Sequence, residues 1–198
     1  MQRKDFDKKI LLEPENMLHM YARGAFPMAD LNGEIDWYMP RTRSIIPLDG
    51  YNFPRTLRKF MEKSDFVYEF DLNTIEVVEH CASRQQTWIT PELVQAYKGL
   101  YSMGNLHSVE IYKDNLLVGG LYGVTYKGAF FGESMFSYVS QASKAALIKL
   151  IKRLRKKGFV LLDIQFTTDH LKMFGSKEIS FTEFERLLLN AYRKEVSF

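Results

Sequence analysis

Three polar side chains carry most of the chemistry this sequence advertises. Glu133 is the only carboxylate in residues 119–137, GGLYGVTYKGAFFGESMFS, and its neighbours include Phe130, Phe131, Met135 and Phe136. An ionised acid in apolar company is costly unless it meets a cation. Glu133 is therefore either a contact for a cationic ligand group or a strand-end side chain turned to water. Asp163 and Gln165 stand two apart in FVLLDIQF, residues 159–166. In a strand, positions i and i+2 share a face, so both polar groups point one way and Leu162 and Ile164 the other. Such a pair is either a satisfied buried couple or part of a site.

Other chemistries find less support. His19, His80, His107 and His170 make no spaced pair with one another or with Cys81 on a helix face, which argues against a metal site. No G-x-S-x-G elbow marks a serine hydrolase. Neither G-x-G-x-x-G nor G-x-x-x-x-G-K-[ST] offers a phosphate-cradling loop. One further feature is electrostatic. From Lys144 to Lys157 run seven cations and no acid: Lys144, Lys149, Lys152, Arg153, Arg155, Lys156 and Lys157. Cations late in a helix favour its dipole and are commonly just solvated. The same row suits a phosphate backbone. Charge alone leaves both open.

The elements that must position these groups follow from punctuation and periodicity. Leu121–Tyr126 and the run from Ala129 read as two strands around Lys127-Gly128. The five glycines of the block suit close approach by a ligand or another backbone. Ser108–Tyr112 and Leu116–Val118 read as a hairpin over Lys113-Asp114-Asn115. Ser140 opens the longest helix, which Gly158 closes, with Leu147, Leu150, Ile151 and Leu154 as its buried stripe. FVLLDIQF is a strand, followed by short helices around Asp169–Phe174 and Thr182–Arg193. Upstream, Thr90 and Pro91 suit the N-cap and first position of a helix reaching about Met103. Thr56–Lys63 and Leu72–Cys81 read as helices flanking a strand at Phe66–Asp71. Pro27, Pro40, Pro47 and Pro54 punctuate a loop-rich N-terminal unit with a helix near Pro14–Leu18 and short strands. Helix, three strands, helix, strand, helix predicts an α/β (α+β) sandwich around a mixed sheet.

The 198 residues, 46% hydrophobic, suffice for one medium domain with a small appendage. No apolar run approaches the roughly 20 residues of a membrane span. The start, MQRKDFDKKI, lacks a signal-peptide core. One cysteine excludes an internal disulfide framework. A cytoplasmic protein is expected, and nothing requires more than a monomer. The net charge of +3 is too small to identify a partner.

TWITPELVQAYKGLYSMGNLHSVEIY, LLVGGLYGVTYKGAFFGESMFS, SKAAL, LLDIQ and LKMFGSKEIS, with YARGAFP near residue 21, closely resemble the leucyl/phenylalanyl-tRNA–protein transferase family over roughly residues 17–188. The resemblance implies a small N-terminal domain, residues 1–46, and an acetyltransferase-like (GNAT-like) catalytic domain, residues 47–198. It implies transfer of an amino acid from aminoacyl-tRNA to the N-terminal amine of an acceptor protein, which marks that protein for degradation through the N-degron route. The ester is already activated, so no cofactor is expected. Ser140-Gln141-Ala142-Ser143-Lys144 stands where an acetyltransferase would carry the loop that grips coenzyme A.

Residue by residue, the resemblance puts Gln165 at the reacting centre, with Asp163 orienting or polarising it, and Glu133 beside the donor's α-ammonium. The donor pocket maps onto Leu121, Phe130, Met135, Leu147, Leu150 and Leu162, with Trp88 nearby. The tRNA is expected on Lys144, Lys149, Lys152, Arg153 and Lys156. Where the family usually stacks an aromatic ring on the terminal adenine, this chain has Met28; the expectation is either that Trp37 or Tyr38 takes over the stacking or that Met28 itself holds the adenine by softer contact. Phe131 precedes Gly132 where relatives commonly have a smaller residue, and the segment ahead of YARGAFP is short. An apolar pocket suits Leu, Phe or Met. The departures keep a second donor in view, Arg carried to N-terminal Asp or Glu. A tRNA-binding protein without chemistry and a coenzyme A-dependent acyltransferase are rivals of other classes.

Overall fold

In the computed structural model, which describes residues 9–198, the glycine-rich block is the centre of a seven-stranded sheet. Its strands are β5 (Leu106–Lys113), β6 (Leu116–Tyr126) and β7 (Ala129–Ser137), joined as antiparallel neighbours. The turn at Lys127-Gly128 is where the sequence puts it, with Lys127 in the left-handed region at φ 51°. β6 differs in one respect. The sequence reading stops a strand at Val118 and restarts it at Leu121. Gly119 and Gly120 instead continue the strand, each paired on both sides, with Ile111 and Glu110 on β5 and with Ser137 and Phe136 on β7. A side chain at Gly119 would put its Cβ 2.5 Å from Ala142 Cβ, so the glycine admits the next helix against the sheet.

That helix, α5 (Ala142–Lys157), crosses over from β7 to β8 (Leu161–Gln165), which runs parallel to β7. β8 pairs on its other edge with β3 (Thr42–Ile45), and β3 with β9 (Lys177–Ser180). At the opposite end β4 (Val67–Phe70) pairs with β5, giving the order β4-β5-β6-β7-β8-β3-β9. The remaining elements are α1 (Pro14–Ala22), a hairpin of β1 (Phe26–Ala29) and β2 (Ile35–Tyr38), α2 (Arg55–Lys63), α3 (Thr74–Ala82), α4 (Pro91–Ser102), α6 (Asp169–Lys172) and α7 (Phe181–Ala191). The α4 start forms as predicted: Thr90 Oγ1 accepts the Leu93 N–H at 3.3 Å.

β9 is an addition to the sequence reading, as is the place of β3 in the large sheet, since the sequence predicts residues 42–45 only within a loop-rich unit with short strands. Of the expected N-terminal unit, residues 1–46, residues 1–8 lie outside the described residues. The rest contributes α1, the β1–β2 hairpin and β3, so one of its strands is inside the large sheet.

Two cores form because strand residues alternate between faces. Leu121, Phe130 and Leu162 face α5 and α2, packing with Leu147, Leu150, Ile151 and Leu154. Tyr122 and Phe131 face α1, α3 and α4, packing with Tyr21, Val78 and Tyr97. Each fully buried Phe or Leu here contributes on the order of 2 kcal/mol in transfer free energy.

Candidate active site

The strand that should carry Glu133 is not regular where Glu133 sits. Tyr122 pairs with Ser134, and Gly123 with Gly132, leaving Glu133 as the extra residue of a β-bulge. Bulges re-aim a side chain. Gly123 makes this one feasible, since a Cβ there would lie 2.3 Å from both the Phe131 carbonyl and the Phe130 ring.

On the neighbouring strand, the parallel pairing ends at Phe131 and Asp163, while β7 runs on to Ser137 and β8 to Gln165. Gln165 then takes φ 61°, a left-handed conformation that a non-glycine residue rarely adopts. Its N–H leaves the ladder with β7 and donates to Asp163 Oδ1 at 2.9 Å. The two deviations bring the side chains together: Gln165 Nε2 donates to Glu133 Oε1 at 2.9 Å. The other Glu133 oxygen accepts from Tyr97 Oη at 2.7 Å. Glu133 is 9% exposed and neither of these partners is a cation. Burial pushes its carboxyl up to about 7 and nearby Asp163 adds to the rise, while hydrogen bonds from Tyr97 and Tyr21 and the charge of Arg43 act the other way.

Asp163 is fully buried, and its partner lies 120 positions away. Arg43 Nε donates to Oδ1 at 2.9 Å and Nη2 to Oδ2 at 2.5 Å. The guanidinium lies over the rings of Phe26 at 4.4 Å and Phe184 at 4.7 Å.

Beside Glu133 opens a cavity of about 480 Å³. Trp88, Leu121, Met135, Leu147, Leu150 and Leu162 line it, as the sequence reading expects, joined by Ile164. Phe130 does not line it. That ring is buried in the core on the α5 side, 5.6 Å from the Phe198 ring. Met28 and Trp37 are also away from the cavity wall. Met28 is half-buried on β1. Trp37 on β2 sits edge-on to Tyr21 at 6.0 Å, and Tyr21 in turn approaches Tyr97.

Four further residues at the cavity carried no sequence signal. Arg84 reaches its wall, held by the Cys81 and Met135 carbonyls and by Ser134 Oγ at 2.9–3.2 Å. Tyr122 presents a buried hydroxyl without a partner among the described residues. Burial raises its pKa well above the usual value, with the Glu133 charge adding to the rise. Ser143 lies at the foot of α5. His170 lies opposite, its pKa lowered by burial and by Lys144.

The predicted tRNA-binding side chains divide. Lys149 and Lys152 line a second cavity of about 440 Å³, between α2 and α5, with Tyr51, Phe53, Arg58 and Tyr68. Lys149 Nζ stands 3.8 Å over the Tyr68 ring, and Lys152 Nζ 5.0 Å over Phe53. Lys156 is exposed on α5. Lys144 sits apart, in the first turn of α5 near His170. Arg153 turns inward over Phe70 and Phe198.

Comparison with known proteins adds the family. The chain overlaps loosely with a functionally unknown conserved protein from Staphylococcus epidermidis, over 70% of this chain and 57% of that one, at 11% identity and a TM-score of 0.44. It overlaps a coenzyme A complex of the PaiA N-acetyltransferase from Thermoplasma acidophilum over 47% and 75%, at 17% identity and a TM-score of 0.32. Matches this loose say nothing about chemistry. Sequence is decisive. A leucyl/phenylalanyl-tRNA–protein transferase from Salinibacter ruber is 44% identical over 181 residues, 91% of this chain and 80% of that protein. The family model described as leucyl/phenylalanyl-tRNA protein transferase matches residues 45–189, and its N-terminal domain model matches residues 11–41. The chain belongs to the leucyl/phenylalanyl-tRNA–protein transferase family.

Proposed function

We propose that the cavity holds the amino-acid side chain of a leucyl- or phenylalanyl-tRNA, and that the bulge at Glu133 and the turn at Gln165 form the reacting centre. The observation that carries this is the pairing of an apolar cavity with one buried carboxylate at its edge that is hydrogen-bonded to Tyr97 and Gln165 and to no cation. A donor α-ammonium beside Glu133 supplies an opposite charge in direct contact, which neither Tyr97 nor Gln165 does. It also draws the carboxyl toward its ionised form, because an adjacent cation favours the charge that burial disfavours. The side chain then extends over Leu121, Leu147, Leu150 and Leu162. Each methylene removed from water there favours binding by about 0.8 kcal/mol. Arg84 at the wall disfavours an arginyl donor, and Glu133 is the only carboxylate among the lining residues.

The chemical step is aminolysis. The acceptor's neutral α-amine attacks the ester carbonyl carbon, a C–N bond forms, and the C–O bond to the terminal ribose breaks. One amine proton ends on the departing ribose oxygen. With its Nε2 donating to Glu133, Gln165 has Oε1 left to accept from the attacking amine and orient its lone pair. A carboxamide is too weak a base to remove the proton itself, so the ribose hydroxyl is the nearer route for the transfer. Lys149, Lys152 and Arg58, interleaved with Tyr51, Phe53 and Tyr68 and outnumbering Glu62, form with exposed Lys156 on the same helix as the two lysines a surface suited to phosphates and exposed bases of the tRNA.

The test is transfer by the purified protein from charged tRNA carrying labelled Leu, Phe or Arg, onto peptides beginning with Arg, Lys, Asp or Glu. Leu and Phe on Arg and Lys peptides is the expected outcome. Transfer of Arg to Asp or Glu peptides overturns the donor assignment. Tight tRNA binding without transfer favours the non-catalytic rival.

A further inference from the structure

We infer that Arg43 is a positioning residue of the transfer reaction: its guanidinium fork fixes the Asp163 carboxylate so that Oδ1 receives the Gln165 backbone N–H, and this bond sets the direction in which the Gln165 carboxamide leaves β8. The inference rests on the reading that puts Gln165 at the reacting centre.

Gln165 is the last residue of β8 and has positive φ, a state that persists only where the surroundings enforce it. The enforcing contact on its own amide is Asp163 Oδ1. A carboxylate that must receive this N–H cannot be free to rotate about its bond to Cβ. Arg43 removes that freedom by taking one oxygen with Nε and the other with Nη2, a planar two-point grip. Arg43 is in turn immobilised. It is 0% exposed, it lies over the Phe26 and Phe184 rings, and its strand pairs Ser44 with Gln165 and Ile45 with Asp163. Its remaining Nη1 has no hydrogen-bond partner among the described residues, so its directed bonding goes to Asp163.

Stability alone accounts poorly for the arrangement. A buried ion pair is commonly no more stabilising than well-packed apolar side chains of the same volume. Orientation is what an apolar pair cannot supply. The chain that results runs from Arg43 to Asp163, to the Gln165 backbone, to the Gln165 carboxamide, to Glu133. It ties a strand near the N-terminus to the proposed site.

The experiment compares R43K, the double variant R43M/D163L and Q165A with the wild type. It measures kcat and KM for charged tRNA and acceptor peptide, thermal unfolding, and the exchange rate of the Gln165 amide proton. Lys at 43 keeps the charge but loses the fork. R43K is expected to stay folded, to exchange the Gln165 amide at least tenfold faster, and to lose about tenfold in kcat with KM within threefold. R43M/D163L removes the buried charges together and guards against simple misfolding. It is expected to regain stability without regaining turnover. Wild-type kcat in R43K, unchanged amide exchange in R43K, or full turnover in the folded double variant overturns the inference. Normal turnover in Q165A has a different meaning: the site assignment itself falls, and the role of Arg43 falls with it.

Discussion

On one side of β8 stand Leu162 and Ile164, facing α5 and the cavity. On the other stand Asp163 and Gln165, facing Arg43, Glu133 and the tyrosines. The same five-residue strand thus borders two regions that act on different principles. The apolar side works by area, where each buried methylene counts about equally and a near-isosteric change is tolerated. The polar side works by direction. Each carboxylate oxygen of Asp163 and Glu133 has one or two partners, and leaving one unmatched costs its full desolvation. Changes on the apolar side should therefore grade the choice of donor, while changes on the polar side should switch the reaction.

The largest effect is expected from Gln165→Ala. It removes the group proposed to orient the amine and takes away the donor to Glu133 Oε1. A fall in kcat of about 10² to 10³ is expected, equivalent to about 3–4 kcal/mol, with folding intact by circular dichroism. A fall below threefold in single-turnover transfer would break the contrast at its polar end.

Glu133→Gln comes next, and it sharpens the comparison because stability and activity move in opposite directions. The Glu133 carboxyl is raised from 4.5 to about 7 in the folded protein, chiefly by burial. A raised folded pKa means that its contribution to stability is fully present below about pH 4.5 and is lost as pH rises through about 7. The Gln variant escapes that loss. It should equal the wild type in stability near pH 4.5 and exceed it at pH 8 by up to about 3 kcal/mol. Activity runs the other way: wild-type kcat/KM should rise as Glu133 ionises, with an apparent pKa near 7. The variant should lose that limb and fall about 10- to 100-fold at pH 8. Denaturant titrations at both pH values and a pH–rate profile test the two halves separately.

What the sequence made legible follows the same division. A helix stripe and an apolar strand are local patterns, so the burial of Leu147, Leu150 and Leu162 is readable, while their grouping as a pocket comes from the family resemblance; all three line the cavity. Glu133 was readable because a lone acid among aromatics is a local anomaly. Its bulge was not, since a one-residue register slip depends on the partner strand and only the glycine at 123 hints at it. Arg43 was invisible. Its partner is 120 residues away, it lies in a stretch that reads as loop, and one arginine near prolines carries no period. Tyr97 was hidden in a helix where an aromatic reads as ordinary core, which it also is. Phe130 shows the reverse. It alternates correctly with Phe131 and points to the correct face, yet lies in the core without reaching the cavity wall.

Leu150→Ala tests the apolar side. The side chain is 1% exposed in the core and also lines the cavity, so truncation should cost about 2–4 kcal/mol in stability. In the folded fraction the enlarged cavity should favour Phe over Leu as donor by about tenfold relative to the wild type. Competition between the two charged tRNAs reads this ratio directly, independent of how much protein is folded. A selectivity unchanged within twofold would mean that the donor side chain does not reach this part of the wall.

The smallest effect per residue is expected far from the chemistry, on the outer face of α5. Lys149 and Lys152 stand over aromatic rings beside the second cavity and Lys156 is exposed nearby, while Arg153 is turned into the core and should be left alone. Replacing Lys149, Lys152 and Lys156 together by Ala removes three cations without touching the buried stripe of the helix. If these lysines neutralise tRNA phosphates, log affinity plotted against log salt should lose about 2–3 units of slope. The weakening should amount to about fivefold at physiological salt and vanish at high salt. The kcat at saturating tRNA should hold, because neither region bordering β8 is altered. The slope is the diagnostic quantity. A loss of affinity with the slope unchanged would point to Tyr51, Phe53 and Tyr68 having lost the cations that hold their rings in place. The second cavity would then be a stacking surface, with its lysines serving the rings and not the phosphates.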